Sequence, residues 1–178
     1  MKDLGKIHHL AYVVEDIPAA AQKLNEDFGA GPFFFIDVVP VEDVTSRGEP
    51  AEFVHASAFG ICNGVPTELM VIDKMAPERA AERFAGGPLP RLHHIAYAVP
   101  LAEVEEVRAG LDDAGLPEYL SARFGEDVNF TYHDGSAALG HDLELHVDSE
   151  GLRGFFSMFD AARAEWDGET DLLRPAFG

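Results

Sequence analysis

The hydrophobic and polar positions of the chain follow the same order twice. Each round opens with a segment of mixed polarity, continues with helical apolar spacing and ends with three aromatic or β-branched runs. The segments "HHLAYVV", beginning at His8, and "HHIAYAV", beginning at His93, share five of seven positions and lie 93 − 8 = 85 residues apart. A unit that recurs in this way cannot bury its own apolar face alone, so the pattern predicts two packed βαβββ modules.

The predicted elements are a strand, a helix and three further strands in each module. In the first module they are 6–14, the helix 15–31, and strands within 32–40, 51–60 and 67–73. In the second they are 91–99, the helix 101–116, whose apolar face includes Leu101, and strands within 117–124, 128–134 and 141–148. The fold class is therefore α+β, with a cupped mixed sheet.

The segment "GGPLP" marks a break after a short helix predicted in "PERAAERF". We place the module boundary at Gly87, which gives modules 1–87 and 88–178. Ser149 is a candidate N-cap for a C-terminal helix whose Phe-rich face covers the sheet or a partner subunit. The loops 41–52 and 134–140 and the end of the chain give no readable pattern.

Charge and composition exclude several classes of partner. The formal net charge is −19, so we expect no nucleic-acid partner. Cys62 is the single cysteine, which excludes an intrachain disulfide and fits a cytoplasmic protein. The sequence has no apolar run long enough for a membrane span and no signal peptide, so we expect neither membrane insertion nor export.

Histidine and glutamate recur at matching places in the two modules. Because side chains alternate along a strand, His8 and His9 are expected on opposite faces, as are His93 and His94. Glu68 and Glu144 stand among apolar residues in the last strand of each module, where a buried carboxylate needs a charged partner. Taken singly, such histidines are more often structural and such glutamates solvent-facing. Two matching sets favour a metal site between the modules.

These motifs resemble the vicinal oxygen chelate superfamily, over about residues 7–148. The resemblance implies a divalent metal held by His9, Glu68, His94 and Glu144, with His8 and His93 turned towards the helices. Such donors could hold Zn, Ni, Co, Mn, Fe or Mg, and the set leaves coordination positions open for substrate. The resemblance also implies a homodimer that acts on a small-molecule substrate.

The expected reaction is proton abstraction next to a carbonyl or thioester, of the epimerase or isomerase type. The base would be Glu144, Glu68 or His146; His55 and His141 are weaker candidates, and Glu52 is expected to be solvated. Two alternatives stay open. One is a lyase similar to glyoxalase I that acts on a hemithioacetal. Glu68 favours this alternative, because methylmalonyl-CoA epimerases have Gln at the corresponding position.

The other alternative is a non-catalytic drug-binding protein, with the aromatic run 33–35 lining its pocket. A coenzyme A ester would need cations at the mouth of the site. The candidates for that role are Arg47, Lys74, Arg91 and Arg123.

Overall fold

The structure is a computed structural model that describes residues 4–84, 87–126 and 128–177. Its strands form one curved mixed sheet in the order β11-β2-β5-β6-β1-β7-β10-β9-β8-β3-β4. The elements in chain order are β1 (Ile7–Val13), α1 (Ile17–Phe28), β2 (Phe33–Ile36), β3 (Val41–Ser46), β4 (Glu49–Pro50), β5 (Glu52–Cys62), β6 (Val65–Ala76), α2 (Glu78–Phe84), β7 (Arg91–Val99), α3 (Val104–Asp113), β8 (Glu118–Phe124), β9 (Val128–His133), α4 (Ser136–Leu139), β10 (Asp142–Val147), α5 (Glu150–Glu165) and β11 (Leu173–Pro175).

The first strands of the two modules pair at the centre of the sheet. β1 runs antiparallel to β7, and each is flanked on its other side by the parallel last strand of its own module, β6 or β10. The register sets Ala11 opposite Glu68 and Ala96 opposite Glu144. This confirms the α+β prediction of two βαβββ modules, and it brings both glutamate-bearing strands next to the central pair.

Helices α1 and α3 cover one face of the sheet and leave the other for the site. Leu69 packs with Ile17 and Ala21 of α1, while Leu145 packs with Val107 of α3. Because side chains alternate along β6 and β10, the glutamates next to these leucines point to the opposite face.

Local capping explains where two of the helices begin. The Asp16 carboxylate accepts a hydrogen bond from the Ala19 amide at 2.7 Å, and the Ser149 hydroxyl accepts one from the Leu152 amide at 3.1 Å. The predicted cap of α5 is therefore confirmed. In the second module α3 begins only at Val104, and Leu101 is 74% exposed, so its predicted place on the apolar face is wrong.

Four short elements, β3, β4, α4 and β11, lie where no element was predicted. Residues 41–50 form the hairpin β3–β4, and β3 pairs with β8 of the other module. β11 extends the opposite edge beside β2, and α4 occupies the loop before β10. The β3–β8 and β11–β2 pairings join segments that are distant in sequence, so no local pattern predicts them.

The Phe-rich face of α5 covers the sheet of its own chain. Phe155 and Phe159 both lie against Phe59 of β5, with ring centroids 5.3 and 5.8 Å away. This surface is therefore not free to contact a second subunit. The homodimer stays a prediction, and the Phe-rich face of α5 does not support it. The boundary at Gly87 also stays a prediction. No helix in the described ranges has the length and apolar character needed to cross a membrane.

Candidate metal centre

Four predicted donors meet on the open face of the sheet, one from each of four strands. His9 and His94 come from the central pair β1 and β7, and their Nε2 atoms are 3.2 Å apart. Glu68 of β6 and Glu144 of β10 flank them. All four side chains are at least 94% buried and all belong to one chain.

The distances between imidazole and carboxylate donor atoms are close to those around a metal ion, and the atoms form two overlapping groups, His9–Glu68–His94 and His9–Glu144–His146. Glu144 Oε2 lies 3.2 Å from His9 Nε2 and 3.1 Å from His94 Nε2, and Glu68 Oε2 lies 3.5 and 3.6 Å from the same two atoms. Ligands about 2.1 Å from a common ion stand about 3.0–3.4 Å apart in octahedral or tetrahedral arrangements. The nitrogen and oxygen donors suit any of the metals named above.

A hydrogen-bonded network explains the cluster less well than a metal does. Glu144 Oε2 also lies 2.9 Å from His146 Nε2. Neither atom forms a well-directed hydrogen bond to any residue in the described ranges, although both are buried. Buried polar atoms that crowd together without aligned hydrogen bonds are expected where their lone pairs converge on an ion.

The first histidine of each pair lies on the same side of the strand as the second. The β1–β7 register skips His8 between Ile7 and His9, and it skips His93 between His94 and Leu92. Each is therefore the extra residue of a β-bulge, which re-aims its side chain. The prediction that His8 faces the helix side is wrong, because its ring lies 4.1 Å from Phe156 and 5.6 Å from His146.

The bulges place an imidazole behind each candidate ligand. His8 Nδ1 is 3.0 Å from His9 Nδ1, and His93 Nδ1 is 2.8 Å from His94 Nδ1. A histidine that binds a metal through Nε2 carries its proton on Nδ1, so each ligand can donate a hydrogen bond to the imidazole behind it. His93 in turn stacks on Phe84 of α2 at 4.6 Å.

The imidazoles of His9 and His8 differ in charge near neutral pH. Burial by itself would lower the pKa of His9, but its contacts with Glu144 and Glu68 outweigh that effect and raise the pKa to about 9. Burial, together with the charge on His9, lowers the pKa of His8 to about 3. His8 is thus neutral and can accept the His9 hydrogen bond.

Both carboxylates stay ionised despite their burial. Burial would raise the pKa of Glu144, but its interactions with the neighbouring imidazoles of His146, His94 and His9 hold it well below its usual range. Glu68 shifts in the same direction, because its contact with His9 outweighs the same penalty. Two negative charges among imidazoles are what a divalent cation neutralises.

The neighbours of the two glutamates were not predicted. The Ser57 hydroxyl donates a hydrogen bond to Glu68 Oε1 at 2.6 Å. Tyr132 is the cross-strand partner of Glu144, and its ring lies 5.0 Å from that of His94. Burial and then the charge of Glu144 raise the pKa of Tyr132 well above its usual value, so it stays protonated. Only the strand register identifies these residues, and a single sequence does not give it.

Of the three histidines considered as bases, His146 lies in the cluster with the two glutamates. His55 lines the same cavity from β5, stacked on Phe53 at 4.0 Å. His141 lies outside that cavity, with Nδ1 2.8 Å from the Asp142 carbonyl oxygen. Glu52 is exposed and paired with Lys74, as expected of a solvated carboxylate.

A cavity of about 60 Å³ adjoins the cluster between the sheet and α5. Its aromatic lining comes from Phe59, Phe124, Phe130, Tyr132, Phe155 and Phe156. The run 33–35 does not line it. Phe33 is fully buried beside α1, and Phe34 packs on Phe159.

Comparison with known protein families identifies the chain. Residues 8–132 match the family model described as "Glyoxalase/Bleomycin resistance protein/Dioxygenase superfamily". The chain belongs to this superfamily. The match includes His9, Glu68 and His94, whereas Glu144, His146 and α5 lie beyond it. The curated protein sequences contain no significant match.

Two solved structures share the fold. A methylmalonyl-CoA epimerase from Mycobacterium tuberculosis is 15% identical, with a TM-score of 0.50 over 83% of this chain and 91% of its own. A hypothetical protein from Bacillus halodurans is 16% identical, with a TM-score of 0.51 over 82% of this chain and 95% of its own. At these identities the likeness establishes the fold and leaves the reaction to be argued from the site.

Proposed function

We propose that this protein is a metal-dependent enzyme that abstracts a proton next to a carbonyl or thioester, of the isomerase or epimerase type. Its metal ligands are His9, Glu68, His94 and Glu144. The observation that carries the proposal is the meeting of these four buried donors around the paired Nε2 atoms of His9 and His94, beside a cavity. A bound divalent cation supplies Lewis acidity, which polarises a carbonyl oxygen and acidifies the neighbouring C–H bond.

His146 is the proposed base, with Glu144 beside it. The imidazole lines the cavity, and neither of its nitrogens forms a well-directed hydrogen bond to a described residue. Its Nε2 lies 2.9 Å from Glu144 Oε2, so the ionised carboxylate stabilises the imidazolium that forms when His146 takes the substrate proton. Glu68 is the weaker candidate, because Ser57 holds its other oxygen.

The remaining residues would bind the substrate and exclude water. Phe155 and Phe156 of α5 close the cavity over the cluster. A dry, apolar enclosure strengthens the electrostatic interactions around a developing negative charge. Tyr132 stays protonated beside Glu144, so it can orient that carboxylate by a hydrogen bond.

Solvent-proton exchange tests the proposal directly. Metal-loaded protein would be incubated in deuterium oxide with α-hydroxyketones, acyl thioesters and hemithioacetals, and deuterium incorporation followed by NMR. The wild type is expected to label the α-carbon of at least one class, and His146→Asn to lower that rate by about 10²–10⁴ while retaining the metal. Labelling unaffected by His146→Asn would remove the assigned base. Preferential turnover of hemithioacetals would support the glyoxalase-like alternative instead.

A non-catalytic binding protein is the second candidate, and the aromatic enclosure favours it. Such a protein would bind apolar ligands tightly and label none of the test compounds. The metal ligands distinguish the two functions, because sequestration of an apolar ligand does not require four buried metal donors.

A further inference from the structure

The charge of the cavity lining restricts the substrate. Among the described residues that line it, ionisable side chains occur only in the donor cluster and at His55, Tyr132 and His146, and none is lysine or arginine. Six aromatic side chains, given above, make up much of the remainder. A carboxylate or phosphate held there would find no fixed cation to offset the cost of leaving water.

Three of the four cations considered for substrate binding are engaged elsewhere, and Arg47 is exposed and does not line the cavity. Lys74 pairs with Glu52 at 2.8 Å, and Arg123 pairs with Asp43 at 3.1 Å and also with Glu42. Arg91 donates to the carbonyl oxygen of Phe84. Glu68 and Glu144 already balance the charge of one divalent ion, so a further anion would leave the centre with a net negative charge.

His55 brings a further polar group to the cavity from β5. His55 is 4% exposed, and its Nδ1 forms no hydrogen bond to any residue in the described part of the chain. Burial lowers its pKa to about 4, so the ring is uncharged near neutral pH. A buried polar atom without a partner favours a ligand that supplies one.

We infer that the part of the substrate inside the cavity is neutral and largely apolar, of aromatic or branched aliphatic type, with a single uncharged polar group for His55. This inference rests on the proposed function, because the oxygens of the substrate are taken to bind at the metal. It excludes substrates whose acyl group carries its own carboxylate. Charged parts of a larger substrate would have to lie outside the cavity.

The test compares two probes that share one metal-binding head group. Protein loaded with Co²⁺ would be titrated with benzohydroxamate and with its para-carboxy derivative, and the cobalt absorption bands would report binding at the metal. Benzohydroxamate is expected to bind at least about tenfold more tightly. Equal or tighter binding of the carboxy derivative would overturn the inference. Failure to take up Co²⁺ would instead contradict the proposed function.

A matched pair of variants locates the effect in the cavity. Phe155 lines the cavity, and Met158 lies one turn further along α5 outside it; both are partly buried. Phe155→Arg is expected to reduce the preference for benzohydroxamate at least about threefold, and Met158→Arg to leave it unchanged, with folding checked by circular dichroism. An unchanged preference in a folded Phe155→Arg protein would contradict the inference.

His55→Ala gives a third readout. Benzohydroxamate carrying a para-hydroxymethyl group, which is neutral and polar, is expected to lose affinity in this variant relative to benzohydroxamate itself. Equal losses for the two probes would contradict the assigned role of His55.

Discussion

The two halves of the centre share their metal donors but differ around them. His9 and Glu68 correspond to His94 and Glu144, and each histidine has a bulged histidine behind it. Two residues beyond the glutamate, however, β6 has Met70 and β10 has His146. The two modules thus carry matching sets of candidate ligands, whereas only the second has an ionisable residue at this place.

The cross-strand neighbours differ in the same sense. Phe59 faces Glu68 where Tyr132 faces Glu144, and Ser57 corresponds to Phe130. Glu68 is held by the Ser57 hydroxyl, whereas Glu144 is surrounded by three imidazoles. This difference supports the proposal that both halves bind the metal and that the second half transfers the proton.

Replacing each glutamate in turn should give the largest difference between the two halves of the centre. Glu68→Ala and Glu144→Ala are each expected to weaken metal binding at least about a hundredfold, because each deletes a donor. At saturating metal, Glu68→Ala should retain measurable proton exchange, whereas Glu144→Ala should abolish it. Equal exchange rates in the two metal-saturated variants would contradict the division of roles.

Removing the bulged histidines should weaken the site through the ligands they support. His8→Asn and His93→Asn are each expected to lower metal affinity about 10- to 100-fold, because the Nδ1–H group of the ligand loses its acceptor. Calorimetric titration measures this loss. His141→Asn is the control, since His141 lies outside the cluster, and it should bind metal as the wild type does.

The metal-free and metal-loaded proteins should respond differently to pH. Because the pKa of His9 is raised from 6.5 to about 9, its stabilising contribution is complete below pH 6.5 and is lost as pH rises through about 9. The melting temperature of chelator-treated protein should therefore fall across this window, and less so in His9→Asn.

Metal binding must displace the His9 proton, so affinity should rise by up to about tenfold per pH unit over the same range. A pH-independent affinity there would show that His9 carries no proton to displace.

Ser57→Ala should have the smallest effect. It removes one hydrogen bond to a buried carboxylate and is expected to cost about 1–3 kcal/mol in free energy of unfolding. Its loss of metal affinity should be only a few-fold, since the donor atoms remain. Denaturant unfolding and calorimetry measure the two quantities, and a loss as large as that of Glu68→Ala would show that Ser57 does more than hold Glu68.

The sequence predicted what depends on local pattern and repetition. The two βαβββ modules, the cap at Ser149 and the five residues His9, Glu68, His94, Glu144 and His146 follow from such signals, and the structure brings those five side chains together. Their roles as ligands and base stay predictions.

What the sequence missed depends on pairing between distant strands. The bulges at His8 and His93 break the alternation from which opposite faces were predicted. The strand register places Tyr132 and Ser57 beside the two glutamates. β3 pairs with β8 of the other module, and no local pattern predicts that pairing. Residues outside the described ranges do not bear on these points.

The most direct test of the central claim is a calorimetric titration of Zn²⁺ into chelator-treated protein, for the wild type, His146→Asn and His94→Ala. The account predicts about one ion per chain for the wild type and for His146→Asn, and loss of tight binding in a folded His94→Ala protein. Absence of binding in the wild type, or a stoichiometry unaffected by His94→Ala, would contradict it.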